Sequence, residues 1–520
     1  MNDRETLSTD VLVIGGGLAG TWAAIAAARK GAAVVLADKG YCGTSGVAAT
    51  SGPGHWWVAP EQREAAIDKR EALSRFGLAE RKWMHRIMAE TWEQLPTLEG
   101  YYGFHSEADG SKYYRGLRGP EYLRALRRQC VDLGVRILDQ SPAVELLRHT
   151  DGAVAGARLY QRQAHRQLEV RAAGVILATG GTTFLSGLLG SHTNTGDGHL
   201  MAAELGAAFS GMEFSSLYCV AQAHTSITRT MIYTFADYFD ADGRELDISF
   251  FEPHMDRRLA AELLKGPVYC SLRRVPEDIR RDLASISPNV PVSFARRGTD
   301  PYRERFEITL HAEGTIRGIG GICIVGAQCE TGVPGLYATG DVATRERVAG
   351  AISGGGAINA AWALSSGCWS GRAVAQLAKT QGRRDREPVH GSARSGLGGA
   401  GRAQISAHEA VAAVQAEILP YDKNIFRTGP KLRDSLDQLE RTWTALGAGI
   451  AGPDIQKNRE AAALTATARW CYRAALDREE SRGQQQRVDF PETNPAFASR
   501  LLVGGLEQLW TRLEKEAVHD

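Results

Sequence analysis

At 520 residues the chain is longer than one hydrophobic core usually serves, so about two to three domains are expected. Its 61 basic and 60 acidic residues leave a formal net charge of +1 and are mixed along the sequence, which excludes the electrostatic footprint of a nucleic-acid or anionic-membrane partner and leaves a small-molecule ligand. The 8 cysteines form no C-x-x-C pair and no histidine clusters at metal-ligand spacing, so no metal is expected, and the polar N-terminus MNDRETLSTD is unlike a signal peptide, which predicts a reduced, cytoplasmic protein.

The first apolar run, VLVIGGGLAGTWAAIAAA from Val11, has the length of a membrane span, but its glycines fall where a strand turns into a helix, and no membrane span is expected. Val11 to Ile14 predict a buried strand, Gly15, Gly17 and Gly20 fit G-x-G-x-x-G around Leu18 and Ala19, and an alanine-rich helix follows. A second strand, AAVVLAD, ends in Asp38. This is the order of a dinucleotide-binding unit: Gly15 for the tight turn, Gly17 for the approach of a pyrophosphate, Gly20 for helix-on-strand packing, and Asp38 for the ribose hydroxyls. The helix N-terminus adds N–H donors and the positive end of its dipole.

Further along, AGVILATGG (173–181) predicts another buried strand ending in small residues, with Ala178, Thr179 and Gly180 at its tip. NTGDGHLMAAELGA (194–207) predicts a turn opening a helix at Asp197, and VPGLYATGDV (333–342) repeats the strand-glycine-acid arrangement at Gly340 and Asp341. An NAD domain needs none of these, whereas a flavin, whose ribityl chain and ring lie along an extended groove, does.

These segments, with DKGYCGTSGVAATSG, MEF, IGGI and the distal AALDREESRGQQQRVDFPE, resemble the flavoprotein family of succinate dehydrogenase, fumarate reductase, L-aspartate oxidase and the adenylylsulfate reductase α subunit over nearly the whole chain. The resemblance implies an α/β fold: a Rossmann-like FAD-binding domain (1–225 and 331–380), an inserted α+β capping domain (226–330), a linker (381–403, Gly/Arg/Ser-rich and expected to be mobile) and a helical C-terminal domain (404–520). It implies FAD contacts at Lys39, Thr44, Ser45 and Gly46, at Ala48, Ala49, Ser51 and Gly52, and at Ala143 and Val144. It also places a helix start, Ser353, Gly354, Gly355, Gly356, Ala357 and Ile358, against the pyrimidine end of the flavin, where bare backbone allows contact with a planar ring.

Departures from the family pattern narrow the chemistry. Several members carry a histidine, within R-S-H-T, that bonds covalently to FAD; Gly46 stands there, so FAD is expected to be non-covalent. Members that handle dicarboxylates carry two histidines and an arginine where this chain has Tyr218, Ile316 and Ser353. A dicarboxylate brought into a closed cleft without paired donors meets a desolvation cost of several kcal/mol, so succinate, fumarate and aspartate are not expected as substrates.

His55, in SGPGHWW, is a candidate general base or a residue of aromatic packing; Tyr218 is a candidate for orienting a substrate oxygen or a packed core tyrosine; Arg317 is a candidate anion holder or proton donor, or half of a salt bridge. His311 is a weaker candidate, Arg229, Arg345 and Arg347 are possible replacement anchors, and Glu480, Arg482 and Arg487 read as interdomain bridging charges. The implied activity is hydride transfer between a small organic substrate and flavin N5, with oxygen, a quinone or an iron-sulfur protein as electron acceptor. The alternative is a flavoprotein subunit of an electron-transfer complex with an iron-sulfur partner.

Overall fold

The computed structural model describes residues 5–74, 76–228, 231–250, 252, 254–396 and 404–514. Its main sheet is built on β1 (Glu5–Ile14), which lies between β2 (Val34–Ala37) and β6 (Arg166–Leu177) and is parallel to both; β3 (Arg136–Leu138) continues beyond β2. Val11, Val13, Val34, Val35, Val175 and Ile176 are buried on both faces of these strands, the continuous apolar pattern that a helix-covered parallel sheet requires. Helix α1 (Leu18–Arg29) packs along the sheet against the long helix Gly355–Gln381.

β6 changes partners along its length. Its first half runs antiparallel to β5 (Val154–Gln161), which pairs with β4 (Ala143–Arg148), and its last residues pair in parallel with β14 (Leu336–Ala338). The chain thus leaves this domain and returns to the same sheet, the FAD-binding topology expected.

Between those two visits lies a second sheet in the order β10–β9–β11–β12–β8, from β8 (Tyr218–Gln222), β9 (Asp237–Phe239), β10 (Glu245–Leu246), β11 (Tyr269–Ser271) and β12 (Phe306–Ala312). With the helices Met255–Leu263, Glu277–Ile286 and Asn289–Arg296 it forms the inserted α+β cap. Its first strand precedes residue 226, because β8 pairs with β12 and not with the main sheet.

The C-terminal region is led by the helices Ala407–Ile418, Gly429–Ala448 and Ile455–Asp477. Their starts are legible: Ser406 and Glu409 form a reciprocal capping box, and the Asp454 carboxylate accepts from Gln456 N and Lys457 N at 3.1 Å. Ile405–Ser406 and Ile450–Ala451 form a short parallel pair beside them. The region does not remain helical. Leu501–Gly504 and Trp510–Leu513 make a hairpin that joins β7 (Phe209–Ser210) and β13 (Gly321–Ile322) in a four-stranded sheet.

The expected mobile linker is also corrected over its described part. His390–Gly391 pairs with β4, the Arg171 guanidinium donates to the carbonyls of Asp385 (2.6 Å) and Glu387 (3.0 Å), and Arg394 N donates to buried Glu204 at 3.0 Å. The glycines and arginines there serve docking along a sheet edge; residues 397–403 of this stretch lie outside the described residues. No helix among the described residues is long and apolar enough to cross a membrane.

Candidate functional site

A cleft with about 1440 Å³ of open space runs from the C-terminal ends of β1 and β2 to the start of the helix Gly355–Gln381. Its outer end is the β1–α1 turn. Gly15 has φ +109°, and a Cβ there would lie 2.3 Å from Ala178 O; a Cβ on Gly20 would lie 1.8 Å from Gly15 O, so helix and strand meet at backbone contact. α1 has no acidic residue in its first turn and no side-chain cap, which leaves its N–H groups facing Gly17 and the cleft. The Asp38 carboxylate is held by Gly16 N (2.6 Å), Gly40 N (2.7 Å) and Ser45 Oγ (2.5 Å) at the tip of β2.

Of the expected FAD contacts, Gly15, Gly17, Leu18, Ala19, Asp38 and Lys39 line this outer part, and Ser45, Gly46, Ala48, Ser51 and Gly52 line the wall beyond it. Ala143, Ala178, Thr179, Gly180, Asp197, Gly340, Asp341 and Gly356 complete the lining that was anticipated. Lys39 Nζ is clamped by Asp197 (2.5 Å), Glu460 (2.8 Å) and Thr195 Oγ1 (2.8 Å). Burial opposes its charge, but the two carboxylates outweigh that and hold the ammonium above its ordinary pKa.

The structure also brings in Asn194, Asn359, Ala360 and Ala363, which were not anticipated. The last three share one face of a helix with Gly356, at spacings of three to seven residues, so the helical period carried the signal. Thr179 Oγ1, Asn194 Oδ1 and Asn359 Oδ1 are buried with no hydrogen-bond partner among the described residues. Such groups are costly unless paired, and three of them along one cleft fit a long ligand with polar groups at several points, as FAD has.

At the inner end, Ile316 and Arg317 line the cleft from the turn Gly314–Arg317. Arg317 Nε lies 3.4 Å from Glu313, which is fully buried and accepts from the Cys219 thiol on its other oxygen. The Glu313 charge holds the guanidinium above its usual range, against the effect of burial. Behind it Arg345 is completely buried, 2.8 Å from Asp341 and donating to the carbonyls of Ile316 and Gly318.

Two of the three catalytic candidates are placed elsewhere. His55 is buried beneath the cleft wall, its Nε2 3.2 Å from Tyr122 Oη, which accepts from Trp22 Nε1, and burial pushes its pKa down to about 3. This neutral imidazole lies edge-on to the Tyr122 ring, 5.4 Å between centroids, and is not among the cleft-lining residues. Tyr218 is buried too: its hydroxyl donates to the carbonyls of Ile418 (3.2 Å) and Leu419 (3.0 Å), tying the cap to the C-terminal helices, and burial pushes its pKa up. Of the three, Arg317 is the one that reaches the cleft.

The remaining expectations divide in the same way. Gly20 packs against the turn, Thr44 is exposed with its hydroxyl on Tyr41 O, Ala49 and Val144 are buried in the core, and Ser353, Gly354, Gly355, Ala357 and Ile358 form the helix start without lining the cleft. His311 sits between the carbonyls of Ser186 and Thr225. Arg345 is enclosed as described and Arg347 pairs with Glu80 (2.6 Å) and Glu514 (3.2 Å), so neither is a cleft anchor; Arg229 lies outside the described residues. Arg482 meets Glu480 (2.7 Å) and the Phe76 carbonyl, which bridges the C-terminal region to the FAD-binding domain; Arg487 stays within the C-terminal region, on Asp489 (2.8 Å).

Comparison with known proteins places these features together. Residues 10–258 match the family described as FAD dependent oxidoreductase, and residues 416–519 that described as fumarate reductase flavoprotein C-term. L-aspartate oxidase of Mycobacterium leprae (strain TN) is 26% identical over 95% of this chain and 95% of its own, and one chain of the CoM/CoB fumarate reductase of Methanothermobacter marburgensis is 23% identical over 96% and 98%. Among solved structures, E. coli quinol fumarate reductase superposes with a TM-score of 0.81 at 21% identity, covering 98% of this chain and 97% of that one. Adenylylsulfate reductase of Archaeoglobus fulgidus superposes with a TM-score of 0.76 at 18% identity, covering 98% and 96%. With the motifs of both its FAD-binding and C-terminal regions matched, this chain is an FAD-dependent oxidoreductase of the succinate dehydrogenase and fumarate reductase flavoprotein family.

Proposed function

We propose that the protein transfers a hydride to or from a small organic substrate that is not succinate, fumarate or aspartate, in the cleft between the FAD-binding domain and the cap, with Arg317 facing the substrate. FAD, when bound, supplies the two-electron centre. The N-terminus of α1 would hold its phosphates, Asp38 its ribose, and Asp341 with Gly356 the part nearer the ring. FAD is held without a covalent bond, since glycine occupies position 46.

The observation that carries the reading is the side-chain set at the inner cleft. Arg317 is the one arginine lining it among the described residues, while Ile316 beside it is apolar and Tyr218 is turned into the core. Arg317 would bind a substrate oxygen, and its fixed charge would stabilise negative charge that gathers there as the reaction proceeds. The cap excludes bulk water, which strengthens that interaction.

The test is anaerobic bleaching of the holoenzyme across a panel of metabolites, wild type beside Arg317→Met. A substrate that reduces the wild-type flavin is expected to reduce that of the variant at least about 100-fold more slowly, the usual scale for losing a group that acts in the transition state. Equal rates at full FAD content would remove Arg317 from the reaction. The rival reading, a flavoprotein that passes electrons to an iron-sulfur partner, is favoured by likeness of fold to adenylylsulfate reductase alone.

A further inference from the structure

We infer that Asn359 reads the ring of the cofactor: its side-chain amide pairs with the imide edge of the isoalloxazine, accepting from N3–H and donating to a carbonyl beside it. The inference rests on the reading that FAD lies in the cleft with its ring toward the start of the helix Gly355–Gln381.

That helix presents four described residues to the cleft: Gly356, Asn359, Ala360 and Ala363. Three of them are glycine or alanine, a smooth face on which a planar ring fits, and Asn359 is the one with a polar side chain. Its Oδ1 is buried without a partner, and among the described residues no hydrogen bond reaches its Nδ2. An asparagine amide carries two donors and an acceptor oxygen, and leaving them unpaired away from water is costly. Asparagine also ranks below alanine inside a helix. Nothing within the protein offsets either cost, whereas a ligand edge with a donor next to an acceptor does.

The same amide accounts for Gly354. A Cβ there would lie 2.7 Å from Asn359 Oδ1 and 2.8 Å from Ile358 Cγ2, so any side chain at this position displaces the amide. The three consecutive glycines then have separate duties: Gly355 takes φ +67°, Gly356 lines the cleft, and Gly354 leaves room for Asn359. The segment is held from several sides. Ser353 Oγ accepts from Gly355 N (3.2 Å), the Ser353 carbonyl accepts from Arg70 (3.2 Å), and the Ala357 carbonyl accepts from Trp56 N (3.1 Å). The amide is thus carried on fixed backbone, as recognition of one ligand edge requires.

The rest of the cleft decides which part of FAD meets it. At the outer end the α1 N-terminus and Asp38 suit phosphates and a ribose, which leaves the ring for the helix start. The oxidised ring has a single N–H donor, N3–H, flanked by two carbonyls. An amide complements that edge in the way asparagine pairs with the edge of adenine. A phosphate offers no donor, and a ribityl hydroxyl fixes no plane.

The full-length protein, freed of FAD, is titrated with FAD and with N3-methyl-FAD, which has a methyl group in place of the donor hydrogen; binding is followed by the change in flavin absorption. Wild type is expected to bind N3-methyl-FAD at least about 100-fold more weakly, as a site does when its hydrogen-bonding group is left unpaired. Asn359→Ala, with the better helix former, is expected to bind FAD at least about tenfold more weakly than wild type and to separate the two flavins by less than about threefold. Gly354→Ala keeps Asn359 but displaces its amide, and is expected to narrow the preference at least about tenfold. Equal affinities in wild type overturn the inference, and so does the full wild-type preference in either variant. Gly17→Glu sets a carboxylate at the α1 N-terminus, where a Cβ has room, and is expected to weaken both flavins alike by at least about 100-fold. If it binds FAD as wild type does, it is the placement of the cofactor in this cleft that has failed.

Discussion

Arg478 reaches from the end of the last long helix to Glu213 of the MEF segment, Nε to Oε1 at 2.6 Å, with both side chains fully buried. The same guanidinium holds Glu480 at 2.8 Å and the carbonyls of Phe497 and Ser499, so the C-terminal region is fastened to the FAD-binding domain through charge shielded from water. Removing one member of such a pair strands the other in the interior. Arg478→Met is expected to lower the unfolding free energy by about 3–5 kcal/mol in urea denaturation; a loss below about 1 kcal/mol would show that the interface stands without it.

Glu346 lies in the same interior, where burial and the neighbouring Glu213 charge push its carboxyl up to about 7. In the unfolded chain the same group titrates near about 4.3. Between these values the folded protein binds more protons than the unfolded one, so unfolding free energy falls as pH rises from about 4 to about 7 through that window. Glu346→Gln removes this contribution. Denaturation at several pH values is expected to give a steeper decline for wild type than for the variant, and parallel curves would contradict the assignment.

Gly46 lines the cleft and offers no side chain that could bond to FAD. Acid precipitation is expected to release free yellow FAD and leave a colourless pellet. Flavin that co-migrates with the polypeptide in a denaturing gel would disprove this.

The inner cleft offers Ile316 and a charge-matched Arg317 in place of dicarboxylate anchors. Succinate, fumarate and L-aspartate are expected to turn over negligibly. A kcat/KM of about 10⁴ M⁻¹s⁻¹ or more with any of them, within the ordinary enzymatic range, would sink the idea.

Gly356 lines the cleft in the first turn of a 27-residue helix, and a Cβ there would meet nothing within 4 Å. Gly356→Asp therefore leaves the polypeptide room to fold while setting a carboxylate at the positive end of the helix. A helix N-terminus stabilises nearby negative charge by about 0.3–2 kcal/mol, and the added carboxylate opposes that effect on a reduced flavin. A reductive titration is expected to show a lower midpoint potential or reduced FAD occupancy; full occupancy at the wild-type potential would show that the glycines merely turn the chain.

How much of this was legible in the sequence depends on what each segment had to do. The β1–α1 turn, Asp38 and the Asp197 and Asp341 turns were readable because backbone function restricts them to glycine or to an acid at a strand end. For His55 and Tyr218 the structure takes the packing alternative, which the sequence left open because a motif gives proximity along the chain but not the direction of a side chain. Tyr218 and Cys219 are adjacent in a strand, where successive residues point to opposite faces; the tyrosine took the core and the cysteine took Glu313. Glu313 itself carried no signal, since two residues it meets, Arg317 and Cys219, lie four residues ahead and 94 residues behind it. The C-terminal hairpin was hidden for a similar reason: LLVG and WTRL are short, and the residues they join are Phe209–Ser210 and Gly321–Ile322, far off in the chain.

The long-range sheet that gathers Phe209–Ser210, Gly321–Ile322 and Leu501–Gly504 also imposes an order on biosynthesis. A ribosome delivers the first two segments well before the third, and Glu460, which clamps Lys39 over the cleft from a position 421 residues away, also emerges late. Until then Phe209–Ser210 lacks its pairing with Leu502 and Val503, and Lys39 lacks the Glu460 carboxylate. The segments translated last are thus the ones that complete this sheet and the clamp on Lys39.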